Sequence, residues 1–237
     1  MTKIIVTDLT RFSKAEKVCI AGINTQTFEC VRPMPYLTAK ACKDLNILPG
    51  AILEANFKPF KETEKPHTED HFYEKNELSF QGPCSAKDFK KVLAKTHVKG
   101  VGNGFSVKLK DDQKCIPSKD EPNCSITTIK VSPQNVYIVQ DSYNPEKIRV
   151  HFKDDEGVSF RFISITDLGF YEYAERVYKK KGKLNDLNNF IHSQSEIYLR
   201  IGLSRAYKSD DGREGYWIQC NGIYTFPKFH ENIRSYG

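Results

Sequence analysis

Two predicted strands in the second half of the sequence carry the residue types best suited to binding an anion. Residues 147–153 and 197–208 alternate apolar side chains with cationic, aromatic or small polar ones. Because successive strand side chains point to opposite faces, the polar set would share one face. Cations neutralise phosphates, and aromatic rings stack on unpaired bases for about 1–3 kcal/mol per base. The residues that we predict on this nucleic-acid-binding face are Lys147, Arg149, Arg161, Tyr198, Arg200, Lys208 and Trp217.

The alternative for this face is an ordinary solvated side of a half-exposed antiparallel sheet. Such sheets often carry outward lysine and arginine residues that protect their edges from pairing. A single tryptophan, here Trp217, is also more often a core residue than a stacking platform. The two interpretations differ in whether the cations and aromatic rings form one accessible surface.

Arg11 and Arg32 extend the predicted anion site into the first half of the chain, near Asp8. The planar guanidinium group of arginine suits a phosphate or a carboxylate equally well. These arginines could therefore form a polar pocket that binds a ligand. They could equally form an internal ion pair, including one with Asp8.

A short segment rich in histidine and carboxylates could bind a metal ion. His67, Glu69 and His71 would share one side of a strand, and their types suit zinc or manganese. A polar turn whose side chains bond local backbone is the favoured alternative, since no distant partner cluster is evident. We predict no metal ligand here, and a metal-dependent hydrolase is the least favoured function.

The motifs of common enzyme classes are not found in this sequence. It has no G-x-S-x-G motif, and the glycines at residues 100–104 lack both the P-loop Lys-Ser/Thr and the G-x-G-x-x-G pattern. We therefore predict no catalytic residues, no cofactor and no enzymatic activity.

The predicted elements that position these residues follow a recognisable order in the second half. Strands are predicted at residues 126–131 with 136–139, at 147–152 and at 158–165, helical segments at 168–178 and 184–191, and strands at 197–207 and 216–226. Three strands, a helix and two strands is the order of an OB-fold, a partly open Greek-key barrel.

The first half fits the same plan less well. Strands are predicted at residues 3–7, 17–23, 27–32, 51–57 and 71–80, a helix capped by Ser85 follows, and a strand is predicted at residues 105–109. The polar, proline-containing segment 110–123 marks the division into domains 1–117 and 118–237. The predicted fold is β-rich, all-β with a few helices, in two tandem OB-like Greek-key barrels.

Composition is consistent with a cytoplasmic protein. The 237 residues are 39% hydrophobic and 28% charged with a net charge of +6, which permits nucleic-acid binding without requiring it. No stretch approaches the roughly 18 apolar residues of a membrane helix, so no membrane partner is expected. The seven cysteines include no C-x-x-C pair, which favours reduced thiols.

Five segments resemble blocks of a bacterial family of dual OB-fold domains, over roughly residues 3–227. They are Asp8-Leu9-Thr10-Arg11-Phe12, Cys30-Val31-Arg32-Pro33-Met34-Pro35, Pro66-His67-Thr68-Glu69-Asp70, residues 198–205 (YLRIGLSR) and residues 217–224 (WIQCNGIY). The resemblance implies tandem OB folds and recognition of nucleic acid or nucleotides, in a genome or defence system.

The function that we predict is a tandem OB-fold module that binds single-stranded DNA or RNA, or a nucleotide. The alternative is an adaptor subunit that docks an effector protein through exposed aromatic residues, with Tyr216, Tyr224 and Phe226 as candidates.

Overall fold

The structure of the protein is a computed structural model that describes residues 1–11, 17–60 and 64–228. The first sheet comprises β1 (Thr2–Arg11), β2 (Lys17–Asn24), β3 (Cys30–Met34), β4 (Leu37–Thr38), β5 (Ala51–Ala55), β6 (Lys58–Pro59), β7 (Asp70–Phe72) and β8 (Ser79–Pro83). The second sheet comprises β9 (His97–Val98), β10 (Cys115–Ile116), β11 (Ile126–Val131), β12 (Val136–Gln140), β13 (Ile148–Lys153), β14 (Ser159–Ile165), β15 (Glu196–Leu203), β16 (Tyr207–Lys208) and β17 (Glu214–Phe226).

Helices are a minor part of the described chain. They are α1 (Ala39–Asp44), α2 (Ala86–Thr96), α3 (Val101–Phe105), α4 (Leu168–Lys181) and α5 (Asn185–His192). Short 3₁₀ turns occupy Lys75–Glu77, Ser118–Asp120 and Pro133–Asn135. None of the helices in the described ranges is long and apolar enough to span a membrane.

The predicted β-rich fold with a few helices is confirmed, and its strands form two sheets. The first sheet runs in the order β6-β7-β3-β2-β1-β5-β8 and the second in the order β12-β13-β14-β17-β15-β11-β9. Among the described residues, the first and last strands of each order do not pair with each other, so neither sheet closes into a complete barrel. Each sheet covers its own apolar core, and the predicted inward side of β13, with Ile148, Val150 and Phe152, is confirmed.

The segment between the sheets differs from its prediction. Residues 105–109 are not a strand, because the chain forms α3 up to Phe105 and packs this ring in the second core. Gly104 allows that close approach, since a Cβ there would lie 2.2 Å from Oγ1 of Thr127 in β11. Val101, Phe105 and Ile116 therefore pack in the second core, and β9 pairs in the second sheet.

Helix α2 joins the two sheets. Ser85 caps it as predicted, with Oγ accepting from the Asp88 backbone N–H at 3.0 Å. Its buried face, with Phe89, Val92 and Leu93, contacts apolar residues of both sheets. The helix is thus a structural part of the junction and not a free linker.

A fully buried ion pair crosses this junction. Arg200 of β15 donates to Asp8 of β1 at 2.8 Å and to Thr128 of β11 at 2.7 Å, and both charged side chains are 1% exposed. The Tyr224 hydroxyl donates to the Thr7 carbonyl beside them. Removing two charges from water costs several kcal/mol per ion, so each partner depends on the other.

A second polar contact lies beside this pair. Glu69 accepts from the backbone N–H of Ser125 at 2.7 Å, from the Ser125 hydroxyl at 2.8 Å and from the Ile126 N–H at 2.9 Å. Asp70 accepts from Arg32 on one oxygen and from Arg205 on the other, at 2.7 Å for the latter. Carboxylates of the first sheet therefore hold the start of β11 and the end of β15 in place.

The buried pair gives a stability prediction. Asp8→Ala leaves Arg200 charged and unpaired in the interior, so it should lower the free energy of unfolding by about 3–5 kcal/mol. Asp44→Ala, which breaks the exposed Lys40–Asp44 pair, should cost about 1 kcal/mol or less. Urea unfolding followed by circular dichroism measures both. Equal small losses in the two variants would contradict a structural role for the buried pair.

Candidate nucleic-acid interface

The predicted binding face divides into a buried part and an accessible part. Tyr198 and Arg200 on β15 are 2% and 1% exposed, so the expectation that they face solvent is wrong. All of β15 after Glu196 is buried, because the first domain covers the side that alternation assigned to water. Tyr198 packs edge-on against His97 and Phe226, and no nucleic acid could reach it without opening the junction.

Arg32 and Arg11 also make their main contacts with other residues of the chain, not with an open ligand pocket. Arg32 is 4% exposed and pairs with Asp70, which confirms the alternative of an internal ion pair with a partner other than Asp8. Arg11 is exposed, and its guanidinium lies 3.3 Å from the centre of the Tyr171 ring on α4. Its backbone N–H donates to the Thr166 carbonyl at 2.9 Å. Both arginines thus tie the first sheet to neighbouring elements.

The His67–His71 segment is a polar turn at the same junction. Nδ1 of His67 accepts from Arg32 at 3.1 Å, and Nδ1 of His71 contacts the Glu69 carbonyl at 2.8 Å. Burial, together with the charges of Arg205 and Arg32, lowers the pKa of His67 to about 3. Glu69 already accepts three hydrogen bonds. Over the described ranges, no group of three or more His, Cys, Asp or Glu residues is arranged to hold a metal ion.

The remaining predicted residues lie on the outer side of the second sheet. Arg149 on β13 is opposite Ser164 on β14, and Ser164 is opposite Gln219 on β17. Trp217 lies two residues before Gln219 on the same side of β17, opposite Cys115 of β10. We name this surface the basic–aromatic face and define it by Lys114, Arg149, His151, Phe162, Tyr207, Arg213 and Trp217.

Stacked side chains form one end of the basic–aromatic face. The Tyr207 and Trp217 rings lie 5.5 Å apart at an interplanar angle of 21°, and the Arg213 guanidinium lies 4.7 Å from the Trp217 ring. Tyr207 is 50% exposed. The stack therefore offers a flat, accessible surface of the kind on which an unpaired base can stack.

Cations line the rest of this face, and several are held by carboxylates. Arg149 pairs with Asp141 at 2.7 Å and also donates to Ser164. Arg161 is exposed and makes a bidentate pair with Asp112. Lys147 and Lys208 are exposed at the margins and have no ion-pair partner within the described ranges. The arginines are thus fixed in position while the lysines stay available.

Lys114 differs from the arginines of this face in its surroundings. It lies 5.4 Å from the Phe162 ring centre and, within the described chain, has no carboxylate within ion-pair distance. Its partial burial and the positive charges of Arg149 and Arg213 lower its pKa, with only partial compensation from Asp141. A cation held among other cations without a partner favours a bound anion.

Two ring nitrogens of this surface have no hydrogen-bond partner in the described part of the protein. They are Nε2 of His151, which packs edge-on against Phe162 at 4.4 Å, and Nε1 of Trp217. Burial and the charges of Arg161 and Lys114 lower the pKa of His151, which favours its neutral form. Both atoms are also shielded from solvent, so a ligand would reach them only after neighbouring side chains move.

Alternation along residues 147–153 also places His151 on the side of Arg149, but sequence reasoning missed the other four residues of this face: Lys114, Phe162, Tyr207 and Arg213. Phe162 has a φ of +56° at an irregularity in the β13–β14 ladder, which shifts the alternation that placed only Arg161 outward. Lys114 lies in the polar segment that we interpreted as a domain boundary. Arg213 lies in the turn of the β16–β17 hairpin, where the sequence predicted only Lys208 and Trp217 as binding residues.

The described residues thus form two β-sheets, and the second sheet carries a basic and aromatic surface. A family model described as dual OB-containing domain matches residues 3–223, and the chain belongs to this family. No curated protein and no solved structure matches the chain.

The buried imidazole gives a prediction for pH dependence. His67 has a folded-state pKa of about 3 against an ordinary value of 6.5, so the unfolded chain binds the extra proton first as the pH falls. The free energy of unfolding should therefore decrease below about pH 6.5, with a contribution of up to about 1.4 kcal/mol per pH unit.

His67→Gln should remove that contribution and flatten the decrease. Urea unfolding of both proteins between pH 4 and 7.5 tests it, and the value at pH 7.5, where the imidazole is neutral in both states, is the reference for each. Parallel pH curves for the two proteins would show that His67 is not the group responsible.

Proposed function

We propose that this protein binds single-stranded nucleic acid through the basic–aromatic face of its second domain. The observation that carries the proposal is Lys114, a partly buried cation without an ion-pair partner in the described chain, which lies over the Phe162 ring at 5.4 Å. Arg149 and Arg213 already pair with carboxylates, so the unbalanced charge that a phosphate would neutralise is that of Lys114.

The adjoining aromatic stack supports an unpaired strand over a duplex. Tyr207 and Trp217 are stacked on each other with Arg213 beside them, and they lie next to the cations. In a duplex the faces of the bases are already stacked, so this arrangement offers little to double-stranded DNA. OB folds commonly use an exposed sheet surface in this way.

The aromatic residues proposed for the adaptor alternative are mostly inaccessible to a partner protein. Tyr224 and Phe226 are 3% and 7% exposed, and Tyr216 is half-buried against the second core. The first two are part of the junction between the domains and cannot contact a partner protein. We therefore retain nucleic-acid binding as the single proposed function.

Trp217 is the only tryptophan of the chain, so its fluorescence reports on the proposed site directly. Titration with an oligothymidine single strand at low salt should quench this fluorescence as bases stack, and the affinity should fall steeply with added salt. A duplex of the same length should quench it less. No change in fluorescence, and none in the anisotropy of a labelled strand, would overturn the proposal.

Removal of a single cation tests the assignment of the site. Lys114→Ala should weaken binding to all sequences and reduce the slope of log K against log salt by about 0.7, the value for one phosphate contact on a single strand. Lys87→Ala, which removes an exposed lysine of α2, is the matched control and should change neither quantity. Equal effects of the two changes would indicate attraction by net charge and not by this face.

A further inference from the structure

A second concave site lies at the junction between the domains, apart from the basic–aromatic face. The cavity has a volume of about 370 Å³ and is bounded by the turn before β5, the first turn of α2 and the end of β17. This volume lies within the range of about 300–1,000 Å³ that is typical of small-molecule pockets. Both domains contribute walls, so an occupant would contact both.

The walls of this cavity are apolar and aromatic. Phe80 and Leu48 lie on the side of the first sheet, Phe226 lies on the side of the second, and Phe89 contacts Tyr224 edge-on at 4.8 Å between them. None of the described residues that line the cavity is charged. A charged ligand would lose its hydration there without an opposite charge to replace it.

Polar groups around the cavity are largely engaged within the protein. The Gly50 carbonyl accepts from the Cys84 N–H at 2.8 Å, the Phe226 carbonyl accepts from the Ser195 N–H at 2.9 Å, and the Tyr224 hydroxyl donates to Thr7. Asn46 is exposed at the edge of the cavity and offers an amide to an occupant. The chemistry of the walls thus favours an apolar body with at most one neutral polar group.

The cavity is also coupled to the domain junction. Tyr224 forms part of its wall and bonds across to β1, beside the Asp8–Arg200 pair. Phe89 of the wall belongs to α2, the helix that joins the sheets. An occupant that contacts both side chains would stabilise the arrangement of the two domains, because it binds the folded state alone.

From these observations we infer that the interdomain cavity binds a neutral, predominantly apolar small molecule. Its walls select against nucleotides and other anions, so this ligand differs from the one proposed for the basic–aromatic face. The inference does not depend on nucleic-acid binding.

N-phenyl-1-naphthylamine, a neutral apolar dye that becomes fluorescent in apolar surroundings, is a suitable probe. The full-length protein should enhance its fluorescence saturably and should unfold at a higher temperature in its presence. Ala86 lies on the cavity wall and is exposed, so Ala86→Phe can fill the space from the helix surface. That variant should weaken dye binding by about tenfold or more.

Lys87→Phe adds the same ring at the next, exposed position of α2, which does not line the cavity, and should change dye affinity by less than about twofold. Ala86→Leu should weaken binding as well, which keeps the test open if the phenylalanine variant misfolds. Saturating dye should leave quenching of Trp217 by single-stranded DNA unchanged. Absence of saturable binding, or equal affinity in all variants, would overturn the inference.

Discussion

The arrangement of this protein depends on the buried ion pair between Asp8 and Arg200. It joins the first strand of one sheet to a central strand of the other, with both charges almost entirely removed from water. Because neither charge can be left alone in such an environment, the two domains have little freedom to separate. The two domains therefore hold a fixed relative position. Surfaces at or beside the junction are rigid for the same reason.

The five segments that resemble the dual OB-containing family meet largely at this junction. Asp8, Arg32, Glu69, Arg200 and Tyr224 each come from a different segment, and each makes a hydrogen bond or ion pair there. The residues that mark the family in this sequence thus serve mainly to hold two OB-type units together. The proposed binding surface lies on β13, β14, β17 and the β16–β17 hairpin, and it shares only Trp217 with these segments.

The candidate site was predictable only in part. Strand alternation placed Arg149, Arg161 and Trp217 on one surface, and in the structure Arg149 and Trp217 lie on the same side of the second sheet. Tyr198 and Arg200 satisfied the same alternation rule but are buried, since alternation specifies a side of a strand and not what covers it. Lys114 and Phe162 were missed because one lies outside any predicted strand and the other follows an irregular ladder position.

The sequence by itself determined the β-rich class, the inward sides of strands such as β13, the cap of α2 and the family. These features follow from local alternation, capping chemistry and short motifs, all of which act between residues close in the chain. Only the tertiary structure decided which charges are buried. Asp8 and Arg200 are 192 positions apart, and Glu69 and Ser125 are 56 apart. Whether an arginine meets a carboxylate or a phosphate depends on which distant surface packs against it, and no local pattern encodes that contact.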